Sequence, residues 1–102
     1  TTRARRLHRA FKAINDFCRR QRHKSIAEQS ARLASRLRGH YNYFGVQGNF
    51  RRLLVLHKWA KRTWFKWLNR RGHRRSYTWP RFADMLRDFP LPKPRVKVQI
   101  WT

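Results

Sequence analysis

The chain has 102 residues, enough for one small domain that removes roughly 60–65% of its unfolded surface from water. It carries 27 lysine and arginine residues against 4 aspartate and glutamate residues, which gives a formal net charge of +23 at pH 7. So few carboxylates argue against paired-carboxylate catalysis and two-metal centres, and one cysteine excludes an internal disulfide framework and a cysteine-based zinc site.

The first predicted element is an amphipathic helix from Arg3 to Arg22. Its apolar residues recur at spacings of three and four, the period of one helix face. They are Ala4, Leu7, Phe11, Ile14 and Cys18, with Ala10 and Phe17 beside them. Basic residues take most of the remaining surface. We expect Cys18, which lies on the apolar face, to be a small core residue.

The second helix begins at Ser25. Ser25 and Glu28 have the spacing of a capping box, in which each side chain satisfies the other's free backbone N–H. Apolar or small residues keep the helical period as far as Gly45, namely Ile26, Ser30, Leu33, Ala34, Leu37, Tyr41 and Phe44. Gly39 interrupts this helix at a cost of about 1 kcal/mol relative to alanine. We expect it to mark close packing of a neighbouring helix rather than a break.

The third helix follows a turn at residues 45–49, where two glycines permit positive φ and Asn49 can cap the next helix. This helix runs from Phe50 to Asn69. Its apolar face is formed by Phe50, Leu53, Leu54, His57, Trp64 and Leu68, with Ala60 and Trp67 beside it. A basic loop at residues 70–76 comes next.

A short fourth helix is capped by Thr78 and has Pro80 in its first turn, where the missing N–H does no harm. We expect its buried side to consist of Phe82, Leu86 and Phe89. Asp84 and Asp88 are one turn apart, so they could share a cation, but pairing with Arg81 or Arg87 is the better prediction.

The last residues form an arm. Pro90, Pro92 and Pro94 impose extended backbone, and the alternation of Val96, Val98 and Ile100 with polar residues predicts a short strand or an extended segment. The predicted fold is therefore all-α, a small bundle of three to four amphipathic helices over residues 1–89, followed by a Pro-rich extended arm over residues 90–102.

The charge predicts the class of partner. Positive charge at this density repels itself in a compact fold, so we expect the fold to depend on a polyanion, with nucleic acid the default. A composition of 40% hydrophobic and 15% aromatic residues also differs from that of a disordered basic tail.

Four segments, in order, resemble the maturase-specific region of reverse transcriptases encoded by group II introns, also called domain X or the thumb. The first is Leu-Ala-Ser-Arg-Leu-Arg-Gly-His-Tyr-Asn-Tyr-Phe-Gly-Val-Gln-Gly at residues 33–48. The others are Lys-Trp-Leu-Asn-Arg-Arg at 66–71, Ser-Tyr-Thr-Trp at 76–79 and Phe-Pro-Leu-Pro-Lys-Pro-Arg at 89–95. Together they make the resemblance extend over nearly the whole chain.

That resemblance implies a helical thumb that follows the fingers and palm of a reverse transcriptase and grips structured intron RNA, assisting intron folding, splicing and priming of reverse transcription. The palm's Tyr-x-Asp-Asp carboxylates and the endonuclease region of some members have no counterpart in this sequence. We therefore expect no catalytic residues, no cofactor and no enzymatic activity in this chain itself. Its protein partners would be an upstream fingers and palm or other ribonucleoprotein proteins.

Two basic surfaces are the predicted RNA contacts, because folded RNA is gripped mostly through phosphates, 2′-hydroxyls and exposed bases. The first basic surface consists of Arg19, Arg20, Arg22, His23, Lys24, Arg36, Arg38 and His40. The second basic surface consists of Lys58, Lys61, Arg62, Lys66, Arg70, Arg71, His73, Arg74 and Arg75. For each residue the alternative is a solvated charge on a helix face.

Six aromatic side chains could stack on unpaired bases. They are Tyr41, Tyr43, Trp59, Trp64, Trp67 and Trp79. Tyr41 and Trp64 lie on apolar faces, so we expect them in the core, whereas Tyr43, Trp59 and Trp79 leave both roles open. A metal site is not expected, because no two of the five histidines have His-x-x-x-His spacing and neither cysteines nor carboxylates gather near them.

Two other functions stay open. One is a basic structural component of a large ribonucleoprotein such as a ribosome, repurposed from a maturase. The other is a membrane-active cationic peptide, which the capped helices and specific turns disfavour.

The sequence also carries a prediction of location. No apolar run reaches the roughly 18 residues that span a bilayer, and no secretory signal is visible. We expect bacterial cytoplasm or an organellar matrix, not secretion and not a membrane. Because the chain begins at Thr1 and its only methionine is Met85, we expect it to be a piece of a longer protein or a processed product.

Overall fold

The computed structural model of the chain describes residues 2–45, 50–72 and 76–94. This part is all-α, as predicted, with helices α1 (Thr2–Gln21), α2 (Ile26–Gly45), α3 (Phe50–Leu68) and α4 (Trp79–Asp88). The first three begin and end within one residue of the predicted bounds. The predicted turn after Gly45, part of the basic loop (73–75) and the predicted strand at 96–100 lie outside the described residues.

The core lies where α1, α2 and α3 meet, and α1 makes its main contact with α3. Ile14 of α1, Leu37 of α2 and Leu56 of α3 are completely buried. Full burial of such a side chain stabilises the fold by about 1.5–3 kcal/mol. Cys18 is 2% exposed and belongs to this core, as predicted, and its burial raises the pKa of the thiol to about 12.

The apolar face of α3 is wider than predicted. The sequence pattern predicts a face that contains Leu54 but neither Leu56 nor Phe65. In the structure Leu56 and Phe65 are buried, and Leu54 is 38% exposed. Phe65 lies on the same side of α3 as Leu54 but three turns later, where Trp79 and Phe82 of α4 pack against its ring. The position of α4 therefore decides which of the two is buried.

Helix α4 begins as predicted. Thr78 caps it, with its side-chain Oγ1 accepting from the Arg81 N–H at 3.4 Å, and Pro80 lies in the first turn. Phe82 is buried, but Met85 is its second buried residue. The expected partners Leu86 and Phe89 are half-buried and pack on the edge of the core. The short helix meets the core along the narrow line from Phe82 to Met85.

Two predictions at helix α2 need correction. Ser25 Oγ accepts the Glu28 N–H at 3.2 Å, as a cap should, but the Glu28 carboxylate pairs with Arg32 at 2.7 Å instead of returning to the Ser25 backbone. Gly39 lies within the continuous helix, as predicted. The close packing expected there is wrong, because a Cβ placed on Gly39 would meet nothing within 4 Å.

The segment after α4 turns back onto the helices. Leu91 is 6% exposed and joins the core. The Pro92 carbonyl accepts a hydrogen bond from the Tyr41 hydroxyl at 2.8 Å and lies 3.0 Å from His57 Nδ1. Residues 91–94 are therefore fastened to α2 and α3.

Candidate nucleic-acid interface

The C-terminal ends of α1 and α3 meet at Trp67. The Arg22 guanidinium carbon lies 5.8 Å from the centre of the Trp67 ring, Lys66 Nζ lies 4.9 Å from it and the Arg70 guanidinium carbon lies 5.8 Å from it. The indole is held in place because its Nε1 donates to Asn15 Oδ1 at 2.9 Å. We call Arg22, Lys66, Arg70 and Trp67 the Trp67 cluster.

In the part of the chain that the structure describes, the cations of the Trp67 cluster have no carboxylate within 4 Å. Among the described residues, ion pairs within 4 Å involve only Arg19 with Asp16, Arg32 with Glu28 and Arg87 with Asp84. Arg22 also donates through Nη1 to the Arg19 carbonyl at the end of α1. Attraction to the face of one indole gives a cation about 0.5–1 kcal/mol at an exposed site, and the cations repel one another. The arrangement therefore favours an anion from outside the chain.

A buried glutamine fixes the turn that carries Arg22. Gln29 is 2% exposed, and its Nε2 donates to the Lys24 carbonyl at 2.8 Å and, more weakly, to the Arg22 carbonyl at 3.4 Å. Its Oε1 accepts the Trp64 indole N–H at 3.0 Å. The backbone from Arg22 to Lys24 is thus tied to the middle of the core.

Sequence reasoning missed Gln29. The available signal was an amide in the first turn of α2, directly after a basic turn and next to the apolar face. Its partners are backbone carbonyls and an indole from a different helix, so the sequence pattern alone did not connect them.

The C-terminal end of α3 uses one of the predicted RNA-binding residues for its own structure. Arg71 Nε donates to the Leu68 carbonyl at 2.8 Å, and its guanidinium carbon lies 5.6 Å from the centre of the Tyr77 ring. Asn69 joins the same end to Tyr77, donating to its carbonyl at 3.1 Å and accepting its N–H. Arg71 therefore closes the helix, whereas Arg70 is exposed.

The first basic surface occupies two places. His23 and Lys24 are exposed on the turn at the Trp67 cluster. Arg20 and Arg36 line a groove of about 240 Å³ between α1 and α2, and the Arg36 guanidinium carbon lies 4.6 Å from the centre of the Phe17 ring.

Three further members of the first basic surface have different surroundings. Arg19 is exposed and its Nη2 lies 3.9 Å from Asp16. Arg38 is exposed as well. His40 is half-buried, and burial together with Arg36 lowers the pKa of its imidazole below the usual value.

The second basic surface also divides. Lys66 and Arg70 join Arg22 in the Trp67 cluster, so the structure brings together members of both predicted surfaces there. Three other members, Lys58, Lys61 and Arg62, line a groove between α3 and α4. His73, Arg74 and Arg75 lie outside the described residues.

The aromatic residues separate into core and surface. Trp64 is 1% exposed, which confirms its core assignment, and Tyr41 is half-buried and packs against the core. Trp59, whose role was open, packs against the core with its ring 4.9 Å from that of Phe11. Tyr43 and Trp79 are 51% and 56% exposed.

Two further findings concern the described part of the chain. It has no group of three or more His, Cys, Asp or Glu residues placed to hold a metal ion. None of its helices is both long and apolar enough to cross a membrane.

The chain has no match among protein-family models, curated proteins or solved structures.

Proposed function

We propose that the chain binds structured RNA as a maturase-type thumb and assists the folding and splicing of a group II intron. The observation that supports RNA binding best is the Trp67 cluster, in which Arg22, Lys66 and Arg70 surround one anchored indole, with no carboxylate of the described residues within 4 Å. The resemblance of four ordered segments to the maturase thumb supports the choice of RNA.

Phosphate is the anion that suits this arrangement. A guanidinium presents a planar set of donors that matches two phosphate oxygens, and an ammonium adds a compact charge. Each phosphate neutralised releases condensed counterions, so binding through the Trp67 cluster has a steep salt dependence. Gln29 increases the affinity further because it holds the backbone of residues 22–24. Less conformational entropy is lost on binding when the turn is already ordered.

The packing of the helices favours a nucleic acid over a lipid surface. A membrane-active amphipathic helix must offer its apolar face to the bilayer. In this fold the apolar faces of α1, α2 and α3 are used in the core, where Ile14, Leu37 and Leu56 are completely buried. Most of the remaining surface is basic, and the large apolar side chains exposed on the described part of the chain are Tyr43, Leu54, Val55 and Trp79.

A binding assay with a folded intron RNA tests the proposal. The test variant is Arg22→Gln, Lys66→Gln, Arg70→Gln, and the control variant is Arg9→Gln, Lys12→Gln, Arg51→Gln. Both variants remove two arginines and one lysine, and the control residues are all exposed.

We expect the Trp67-cluster variant to bind about tenfold or more weakly at 0.15 M salt and its salt slope to be shallower by about two. The control variant should lose about threefold at most, because charges away from the contact are screened. Equal losses of affinity in the two variants would mean that the RNA is attracted by the net positive charge of the whole chain. Such a result would contradict a specific contact at the Trp67 cluster.

The role as a maturase thumb has its own test. Crosslinking the chain in its native assembly and sequencing the attached RNA should recover group II intron RNA. Recovery of ribosomal RNA, or of another large structural RNA, would support the alternative of a ribonucleoprotein component.

A further inference from the structure

We propose that the groove between α3 and α4 holds one unpaired nucleotide of the bound RNA, its base against Trp79 and its phosphate on Lys58, Lys61 and Arg62. The inference rests on the proposed RNA binding and adds a specific kind of ligand at a second place. The Trp67 cluster takes no part in it.

The groove is built from one face of each helix. One side of the groove is a single face of α3, on which Lys58, Lys61 and Arg62 lie three and four residues apart. The opposite side is one face of α4, formed by residues three or four positions apart, namely Trp79, Phe82, Ala83 and Leu86. The groove is open to solvent and has a volume of about 590 Å³, which falls within the range of small-ligand sites. One wall is cationic and the other is apolar and aromatic.

Trp79 is both exposed and held in position. Its ring centre lies 3.9 Å from that of Phe65, with 34° between the planes, and Phe82 meets it edge-on at 5.9 Å. These contacts cover part of the indole, yet the residue is 56% exposed. A large aromatic ring that is fixed on one side and open on the other is a ready stacking surface for a base.

The positive charges of the groove determine which class of ligand can bind there. Lys58, Lys61 and Arg62 have no carboxylate within 4 Å among the described residues, because the ion pairs there involve other arginines. A ligand that fits must therefore combine a planar apolar body with an anionic end. A single nucleotide turned out of a helix has this composition, and an unpaired base costs little to turn out.

The test compares three hairpin RNAs with the full chain. All three share the same loop and differ only in the stem: one stem is fully paired, one carries a single unpaired adenosine, and one carries an abasic site at that position. We expect the parent chain to bind the hairpin with the unpaired adenosine about five- to tenfold more tightly than either of the other two, through base stacking.

Two variants remove the groove in different ways. Trp79→Ala deletes the stacking surface, and Ala83→Leu fills the groove from an exposed position one helical turn after Trp79. Each should erase the preference while leaving affinity for the paired hairpin within about twofold. Tyr43→Ala removes an aromatic residue that is exposed elsewhere and should keep the preference.

Several outcomes would overturn the inference. They are equal affinity of the parent chain for all three RNAs, a preference that survives Ala83→Leu, and photocrosslinking of a bulged 5-bromouridine to Trp67 rather than Trp79. Tighter binding of a hexaglutamate peptide than of the bulged RNA, abolished by Ala83→Leu, would assign the groove to an acidic protein segment instead. If the paired hairpin does not bind at all, or binds the Trp67-cluster variant equally well, it is the proposed RNA binding that fails.

Discussion

The Trp64 indole N–H donates to the side-chain oxygen of Gln29 at 3.0 Å, and both residues are buried, at 1% and 2% exposure. The bond joins α3 to the first turn of α2. Through its Nε2 the same amide holds the carbonyls of Arg22 and Lys24. One glutamine therefore links the core of the fold to the backbone of the basic turn, so core stability and the placement of Arg22 depend on a shared residue.

Replacing Gln29 with leucine should destabilise the fold although the volume changes little. The Trp64 N–H and the Lys24 carbonyl would lose their partner, and a buried unsatisfied polar group costs about 1–3 kcal/mol. We expect urea denaturation to give a free energy of unfolding lower by about 2 kcal/mol. Gln21→Leu is the control, because the hydrogen bond that the Gln21 side chain accepts from Arg32 is exposed, and it should change stability by about 0.5 kcal/mol or less. Similar losses in the two variants would contradict the role assigned to Gln29.

Two glycine substitutions should have opposite effects. Gly39 lies inside α2 with open space at its Cβ position, so Gly39→Ala should stabilise the fold by about 1 kcal/mol. Gly72 also has open space, but its φ of +71° is one that alanine adopts only with strain, so Gly72→Ala should destabilise. Thermal unfolding of the two variants checks both signs. Destabilisation by Gly39→Ala would mean that something packs against this side of α2.

The stability of the fold should fall as the pH drops below about 6.5, the usual pKa of histidine. Burial, together with Lys61, lowers the pKa of His57 in the folded chain, and Lys93 acts in the same direction while the Pro92 carbonyl opposes it. The unfolded chain therefore takes up this proton before the folded chain does, so stability is complete above about pH 6.5 and is lost as the pH falls towards the folded-state pKa.

The variant that isolates this effect is His57→Gln, which keeps a donor near the Pro92 carbonyl but does not titrate. Urea midpoints at pH 7.5 and 5.5 should differ less in this variant than in the parent chain. The difference will not vanish, because the pKa of His40 is lowered as well. If the urea midpoints of His57→Gln at the two pH values differ as much as those of the parent chain, the prediction is wrong.

Arg70 and Arg71 are adjacent and both were predicted to bind RNA, but the structure gives them different surroundings. Arg71→Ala removes the hydrogen bond to the Leu68 carbonyl and the contact with Tyr77, and should cost about 1 kcal/mol of stability. Arg70→Ala should leave stability within about 0.5 kcal/mol and weaken RNA binding. Denaturation and binding measured on both variants should separate the two roles. If Arg71→Ala weakens RNA binding as much as Arg70→Ala without loss of stability, the separation is wrong.

The helices could be predicted from the sequence because their signals are local. The three-and-four spacing, the Ser25 cap, the Thr78 cap and Pro80 all act within a few residues, and the structure has helices at these places. The burial of Cys18 and Trp64 follows from the same periodicity.

The contacts between residues of different helices could not be predicted from the sequence. Arg22 and Lys66 are far apart in the chain and meet because α1 packs on α3, and Phe65 is buried only because α4 folds over it. The environment of Gly39 was mispredicted for the same reason, since whether a helix face is covered depends on the arrangement of the other helices. The division of the basic residues between the Trp67 cluster and two grooves likewise needs the packed fold.

Cys18 should be protected from alkylation for as long as the fold is closed. It is 2% exposed, and burial raises its pKa to about 12, so at pH 8 the reactive thiolate is scarce as well as inaccessible. Iodoacetamide should therefore modify the native chain only through opening of the core, at a rate that follows the population of the open form. A loss of about 2 kcal/mol in Gln29→Leu should then speed modification about thirtyfold, provided that it is global opening that exposes the thiol. Modification of the native parent chain at the rate of its urea-unfolded form would show that Cys18 is not enclosed by Ile14 and its neighbours in the core.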